Sequence, residues 1–184
     1  MFTRIRNLHP LGLVAVGVVA TLVLSGTAIA VTDATFTYST TQTGYLTIHP
    51  MDLAPGGSSH ADGYTTDPSG GILATSTGGC FNTGVNVPQL AKVTTVLAYY
   101  VGLSNSPTGV YLVREKLVDG DGETIAGQSL TDTGGVRKSL TITVPVDRRT
   151  VRNNVYSYGF GICLDAGEAF HGARITYTYT TAGD

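Results

Sequence analysis

The stretch Val155-Tyr156-Ser157-Tyr158-Gly159-Phe160-Gly161-Ile162-Cys163-Leu164 decides the fold class. Tyr156, Tyr158, Phe160 and Ile162 fall on every second position, with Ser157, Gly159, Gly161 and Cys163 between them. A period of two belongs to a strand with one large apolar face and one small face. The small face predicts the close approach of a second layer. The same period continues on both sides. Upstream, Leu140, Ile142 and Val144 alternate with Ser139, Thr141 and Thr143 until Pro145 ends the run. Downstream, Asp165-Ala166-Gly167 turns the chain, and Glu168 to Thr180 sets Ala173, Ile175, Tyr177 and Tyr179 against Arg174, Thr176 and Thr178.

Further from this centre, Lys92 to Leu103 is apolar on both faces, as a strand inside a sheet must be. Gly109 to Val118 and Glu123 to Leu130 flank Asp119-Gly120-Asp121-Gly122, a hairpin signal. Ala34 to Tyr38 and Gly44 to His49 predict two strands near the start. No window carries a helical apolar stripe, and Thr, Tyr and Val favour a pleated surface. Eight or so short strands predict an all-β antiparallel sandwich, jelly-roll-like rather than immunoglobulin-like. In it Tyr99, Tyr156, Tyr158, Tyr177 and Tyr179 are expected to serve core or cross-strand packing.

The first thirty residues predict the compartment. Arg4 and Arg6 precede an uncharged apolar run, Leu11 to Leu24, and Ser25-Gly26-Thr27-Ala28-Ile29-Ala30 ends in Ala-x-Ala. This is the pattern of a secretory signal peptide cut after Ala30; retention as an anchor is the alternative. Residues 31–184 are then a single secreted domain with nine basic and thirteen acidic side chains, net charge near −4. That balance argues against nucleic acid and against anionic lipid, so no membrane is expected after cleavage. In an oxidising compartment the two cysteines, Cys80 and Cys163, predict one disulfide. It would tie the segment after a long irregular loop, residues 50–79, to the penultimate strand.

The run Asn86-Val87-Pro88-Gln89-Leu90-Ala91-Lys92-Val93-Thr94, leading into Val96-Leu97-Ala98-Tyr99-Tyr100, resembles the opening of a core strand in extracellular bacterial jelly-roll-like domains. The ending Phe170-His171-Gly172-Ala173-Arg174-Ile175-Thr176-Tyr177 resembles them too. The chain from Cys80 to Thr180 is similar to exported β-sandwich proteins of high-GC Gram-positive bacteria. The resemblance is structural and implies no catalytic residues.

No motif carries chemistry. His49, His60 and His171 lack metal-ligand spacing. Ser58-Ser59-His60-Ala61-Asp62 holds the residue types of a hydrolytic triad, but adjacency is not the arrangement a triad needs. Asp119, Asp121 and Glu123 offer the alternating oxygens of a partial calcium loop, but the further ligands of a full loop are missing and a hairpin turn is the favoured reading. Asp147-Arg148-Arg149-Thr150-Val151-Arg152, the only basic cluster, reads as a turn rather than a seat for an acidic polymer. There are ten tyrosines and no tryptophan; Tyr64 alone has no evident packing role. The expected function is a non-enzymatic binding or surface-interaction module for a cell-envelope glycan or an extracellular protein. Binding is expected in the long loop through His60, Asp62, Tyr64 and Asp67. No cofactor is expected other than calcium. A hydrolase with an unrecognised site and a structural coat or assembly protein are the alternatives, and nothing sets the oligomeric state.

Overall fold

The computed structural model describes residues 36–56, 64–66, 70–74, 78–103 and 108–182. Among these residues eleven strands follow in chain order: β1 (Phe36–Ile48), β2 (Ala54–Pro55), β3 (Tyr64–Thr66), β4 (Ile72–Ala74), β5 (Gly79–Gly84), β6 (Lys92–Val101), β7 (Gly109–Lys116), β8 (Gly122–Ser129), β9 (Lys138–Thr143), β10 (Tyr156–Leu164) and β11 (Ala169–Ala182). They form two sheets. Sheet A runs β3-β4-β11-β6-β9, with β1 also paired to β11; sheet B runs β2-β5-β10-β7-β8.

Setting the short strands aside, the sheet orders are β1-β11-β6-β9 and β5-β10-β7-β8. Consecutive strands cross between the sheets except at the β7–β8 hairpin, which is the double Greek key of a jelly roll. The sandwich expected from the alternation is therefore the fold, in its jelly-roll form. Residues Thr37–Ala182 make one compact unit.

The core lies between the sheets. Phe81, Leu112, Ile125, Phe160 and Ile162 from sheet B meet Val96, Ala98, Tyr100, Phe170 and Ile175 from sheet A, all within 2 % of full burial. Phe160 and Phe170 pack at 5.7 Å between ring centroids. Tyr156 and Tyr177 are half-buried against this core, and Tyr158 is buried in it. Cys80 and Cys163 are bonded and lie opposite each other in the β5–β10 register, as expected for the strand after the loop and the penultimate strand.

Three expectations are corrected. The two strands near the start are one, β1, because Thr41 to Gly44 continues the extended chain. Gly44 is not a break: a Cβ there would run into the Tyr177 ring, so the glycine lets β11 lie close. Tyr99 is not in the core. It is 42 % exposed on the outer face of sheet A, whereas Tyr100 points inward and its hydroxyl bonds the Thr131 hydroxyl at 3.0 Å. Among the described residues the small face of β10 meets no second layer. The large residues already face the other sheet, so Ser157, Gly159, Gly161 and Cys163 form the outer surface of sheet B.

Candidate functional site

Those outward residues floor an open trough of about 570 Å³ along β10, between β5 and β7. Its geometry follows from the register. Gly161 is paired with Asn82 on one side and Tyr111 on the other; Gly159 is paired with Gly84 and Val113. The disulfide closes one end, and Ser157 beside Glu115 lies at the other. Every second residue of each strand thus contributes, and the central strand contributes almost no side chain.

The Tyr111 ring is held by glycines. A Cβ at Gly109 would meet its hydroxyl at 2.5 Å, and one at Gly127 would meet its ring at 2.8 Å. The ring therefore lies along the sheet, half-buried, and forms the β7 wall. Across the floor, exposed Asn82 rests beside Gly56 and makes no side-chain hydrogen bond among the described residues. Two strand spacings of about 4.8 Å set roughly 10 Å between the backbones of the two walls. That is room for one ring-sized group.

Two glycines of the trough, Gly84 and Gly161, are not required by the fold, whereas a Cβ at Gly159 would meet Val113 Cγ2 at 3.2 Å. Among the described residues, Gly84 has nothing within 4 Å of a Cβ position, and at Gly161 only the Phe81 carbonyl lies near, at 3.7 Å. Neither has a positive φ. Glycine inside a strand costs about 0.5–1 kcal/mol against alanine, and packing gives no return for it here. What the glycines do provide is depth.

Of the residues expected to carry binding, His60, Asp62, Tyr64 and Asp67, only Tyr64 is among the described residues. Tyr64, on β3, packs its ring edge-on to Phe81 at 5.1 Å, a structural contact that the sequence did not suggest. His60, Asp62 and Asp67 lie outside the described residues. The trough residues Tyr111, Asn82 and Gly161 were missed. The signal was there in part: Tyr111 falls out of phase with Val110 and Leu112 in β7.

Asp119, Asp121 and Glu123 form a hairpin turn. Gly120 has φ +72° and its N–H donates to the Lys116 carbonyl, while the Asp121 N–H donates to Asp119 Oδ1. Their charges are met by cations: Lys116 Nζ lies 3.0 Å from Asp121, and Arg114 pairs with Glu123. The Asp121 hydrogen bond, then the Asp119 charge, hold the Lys116 pKa above its ordinary value. Among the described residues no group of three His, Cys, Asp or Glu is placed to hold a metal. The basic cluster is likewise a turn. Arg148 donates to the Thr124 carbonyl and Arg149 to that of Val144, each at 2.8 Å. His49 caps the turn Pro50–Asp52, its Nδ1 accepting from the Met51 N–H. Among the described residues no helix is long and apolar enough to cross a membrane. The disulfide and the fold are compatible with an extracellular protein.

No protein-family model matches the chain, and no curated protein sequence does. Among solved structures, the chain is similar to the C-terminal family 6 carbohydrate-binding module of LamC, a laminarinase from Zobellia galactanivorans. The TM-score is 0.47 at 15% identity, over 72% of this chain and 99% of that one. It is similar to a carbohydrate-binding module of Cellvibrio mixtus lichenase 5A in complex with cellotriose (TM-score 0.44, 17% identity, 71% and 95% covered). A third is a Clostridium stercorarium module in complex with cellobiose (TM-score 0.36, 10% identity, 83% and 95% covered). The fold assignment rests on the strand order and register above.

Proposed function

We propose that this protein is an exported, non-enzymatic glycan-binding module whose site is the trough on sheet B. The observation that carries the proposal is the glycine floor: Gly84 and Gly161 leave space that neither packing nor backbone conformation requires. An aromatic wall faces an amide wall across that space. The Tyr111 ring offers an apolar face to the C–H side of a sugar, and Asn82 offers one acceptor and two donors to its hydroxyls. A volume of about 570 Å³ is within the range of small-ligand sites. Glu115 is the only charged residue in the described lining, so the ligand is a neutral saccharide rather than an acidic one. The leader Met1–Ala30 is proposed to be cleaved after Ala30, delivering the domain outside the cell.

The test uses protein recovered from culture medium, whose intact mass should correspond to a chain starting at Val31. It is titrated with a panel of neutral gluco-, manno-, xylo- and galacto-oligosaccharides. Binding to one class is expected, with a loss of tenfold or more in Gly161→Val and in Tyr111→Ala. Gly161→Val fills the floor while suiting a strand, so its Tm should equal or exceed that of the parent. A Gly161→Val protein that folds and binds as well as the parent would remove the trough from the proposal.

A further inference from the structure

The outer face of sheet A carries two hollows lined by residues of a different chemistry. Tyr99 stands on the outside of sheet A between two hollows, one of about 680 Å³ and one of about 280 Å³, and it lines both with His171. Its cross-strand neighbours are Ser139 on β9 and Gly172 on β11. Gly172, the residue paired with Tyr99 on that strand, has φ +127°, which favours glycine, and so sets no side chain of its own beside the ring. The exposed ring is thus built in by the β11 bulge between Phe170 and Gly172.

Three cationic residues line the two hollows. Arg137 and Lys138 line the larger hollow, and Arg174 lines the smaller. Among the described residues none of the three pairs with a carboxylate, in contrast to Arg114 and Lys116 on the β7–β8 hairpin. Arg174 is steadied by the Tyr45 ring, 5.0 Å from its guanidinium carbon. That contact leaves the edge of the fork available for a planar anion. No carboxylate is among the described residues lining either hollow. A local positive field on a chain with net charge −2 is therefore set around an exposed aromatic ring.

We infer that the Tyr99 face binds a uronic-acid-containing glycan, the pyranose ring stacking on Tyr99 and its carboxylate meeting Arg137 and Lys138 or Arg174. A neutral sugar would use only the ring. A glycerol phosphate polymer would use only the charges, having no ring to stack. The combination selects an anionic pyranose.

The full chain is titrated with oligogalacturonate, with the neutral galacto-oligomer of equal length, and with poly(glycerol phosphate). Oligogalacturonate should bind at least tenfold more tightly than either of the others and weaken as salt is raised to 0.5 M. Tyr99→Ala and the double variant Arg137→Ala/Lys138→Ala should each cost tenfold or more. All three side chains are on the surface, and unchanged melting curves would confirm that both variants fold. Gly161→Val should leave uronate binding intact. No binding of oligogalacturonate would overturn the inference. So would equal binding of poly(glycerol phosphate) that Tyr99→Ala leaves unchanged, which marks a bare charge patch. Loss of uronate binding in Gly161→Val alone would transfer the ligand to the trough and overturn this site while keeping the other.

Discussion

At the scale of single residues, Glu168 is the side chain on which the loop end of the sandwich depends. It is fully buried, and its carboxylate oxygens accept three hydrogen bonds. Oε1 accepts from the Leu103 N–H at 2.9 Å and from the Thr108 hydroxyl; Oε2 accepts from the Asp165 N–H at 2.8 Å. Its own carbonyl accepts from the Ala74 N–H. One residue thus joins the end of β6, the start of β7, the β10–β11 turn and β4. Removing the carboxylate leaves two backbone N–H groups without an acceptor, each worth roughly 1–3 kcal/mol when buried. Glu168→Ala should therefore lose about 3 kcal/mol or more, a fall of roughly 6–12 °C in Tm for a domain of this size. Glu168→Gln keeps one acceptor oxygen but turns an NH₂ toward a donor, so it should fall between the two. Thermal unfolding followed by circular dichroism checks the order; an alanine variant as stable as the parent would deny the residue this role.

At the scale of elements, the disulfide joins β5 to β10 across a separation of 83 residues. In the chain-entropy picture a closed loop of that length stabilises by about 4–5 kcal/mol, mostly by restricting the unfolded chain. Both cysteines lie on the outer face of sheet B rather than in the core, and Cys80 is exposed. Reduction should consequently lower the denaturant midpoint strongly while leaving the native far-UV spectrum unchanged below the transition. If the midpoint does not move, the bridge is not a determinant of stability. This pairing was legible in the sequence, as were the strands β6 to β11, because alternation and turn residues report locally. What alternation does not report is which face another sheet covers. Tyr99 and Tyr100 are adjacent and chemically identical, and only the position of sheet B makes one core and the other surface. The small face of β10 suffers the same ambiguity: glycines read as room for a second layer are room for solvent or a ligand. The β1 error has another origin. Gly44 reads as punctuation, whereas its neighbour in space, Tyr177, is more than a hundred residues away in the chain.

For the molecule as a whole, the jelly roll assigns its two faces to different strands and so to different chemistry. The trough is built by β5, β7 and β10 of sheet B, and the Tyr99 face by β6, β9 and β11 of sheet A. The two share no residue, and a core layer of about 10 Å separates the sheets that carry them. A short oligosaccharide on one face cannot touch the other. Saturating neutral ligand should therefore leave the Kd for oligogalacturonate within about twofold, and the converse should hold. A polysaccharide carrying both neutral and uronate stretches behaves differently. If it is long enough to wrap the sandwich edge, the second contact becomes intramolecular and overall affinity rises above either site alone. Tyr111→Ala and Tyr99→Ala should each remove that gain, and the double variant should bind neither ligand. Competition between the two short ligands in an equilibrium titration would instead mean that they share one face, and the division of labour between the sheets would fail.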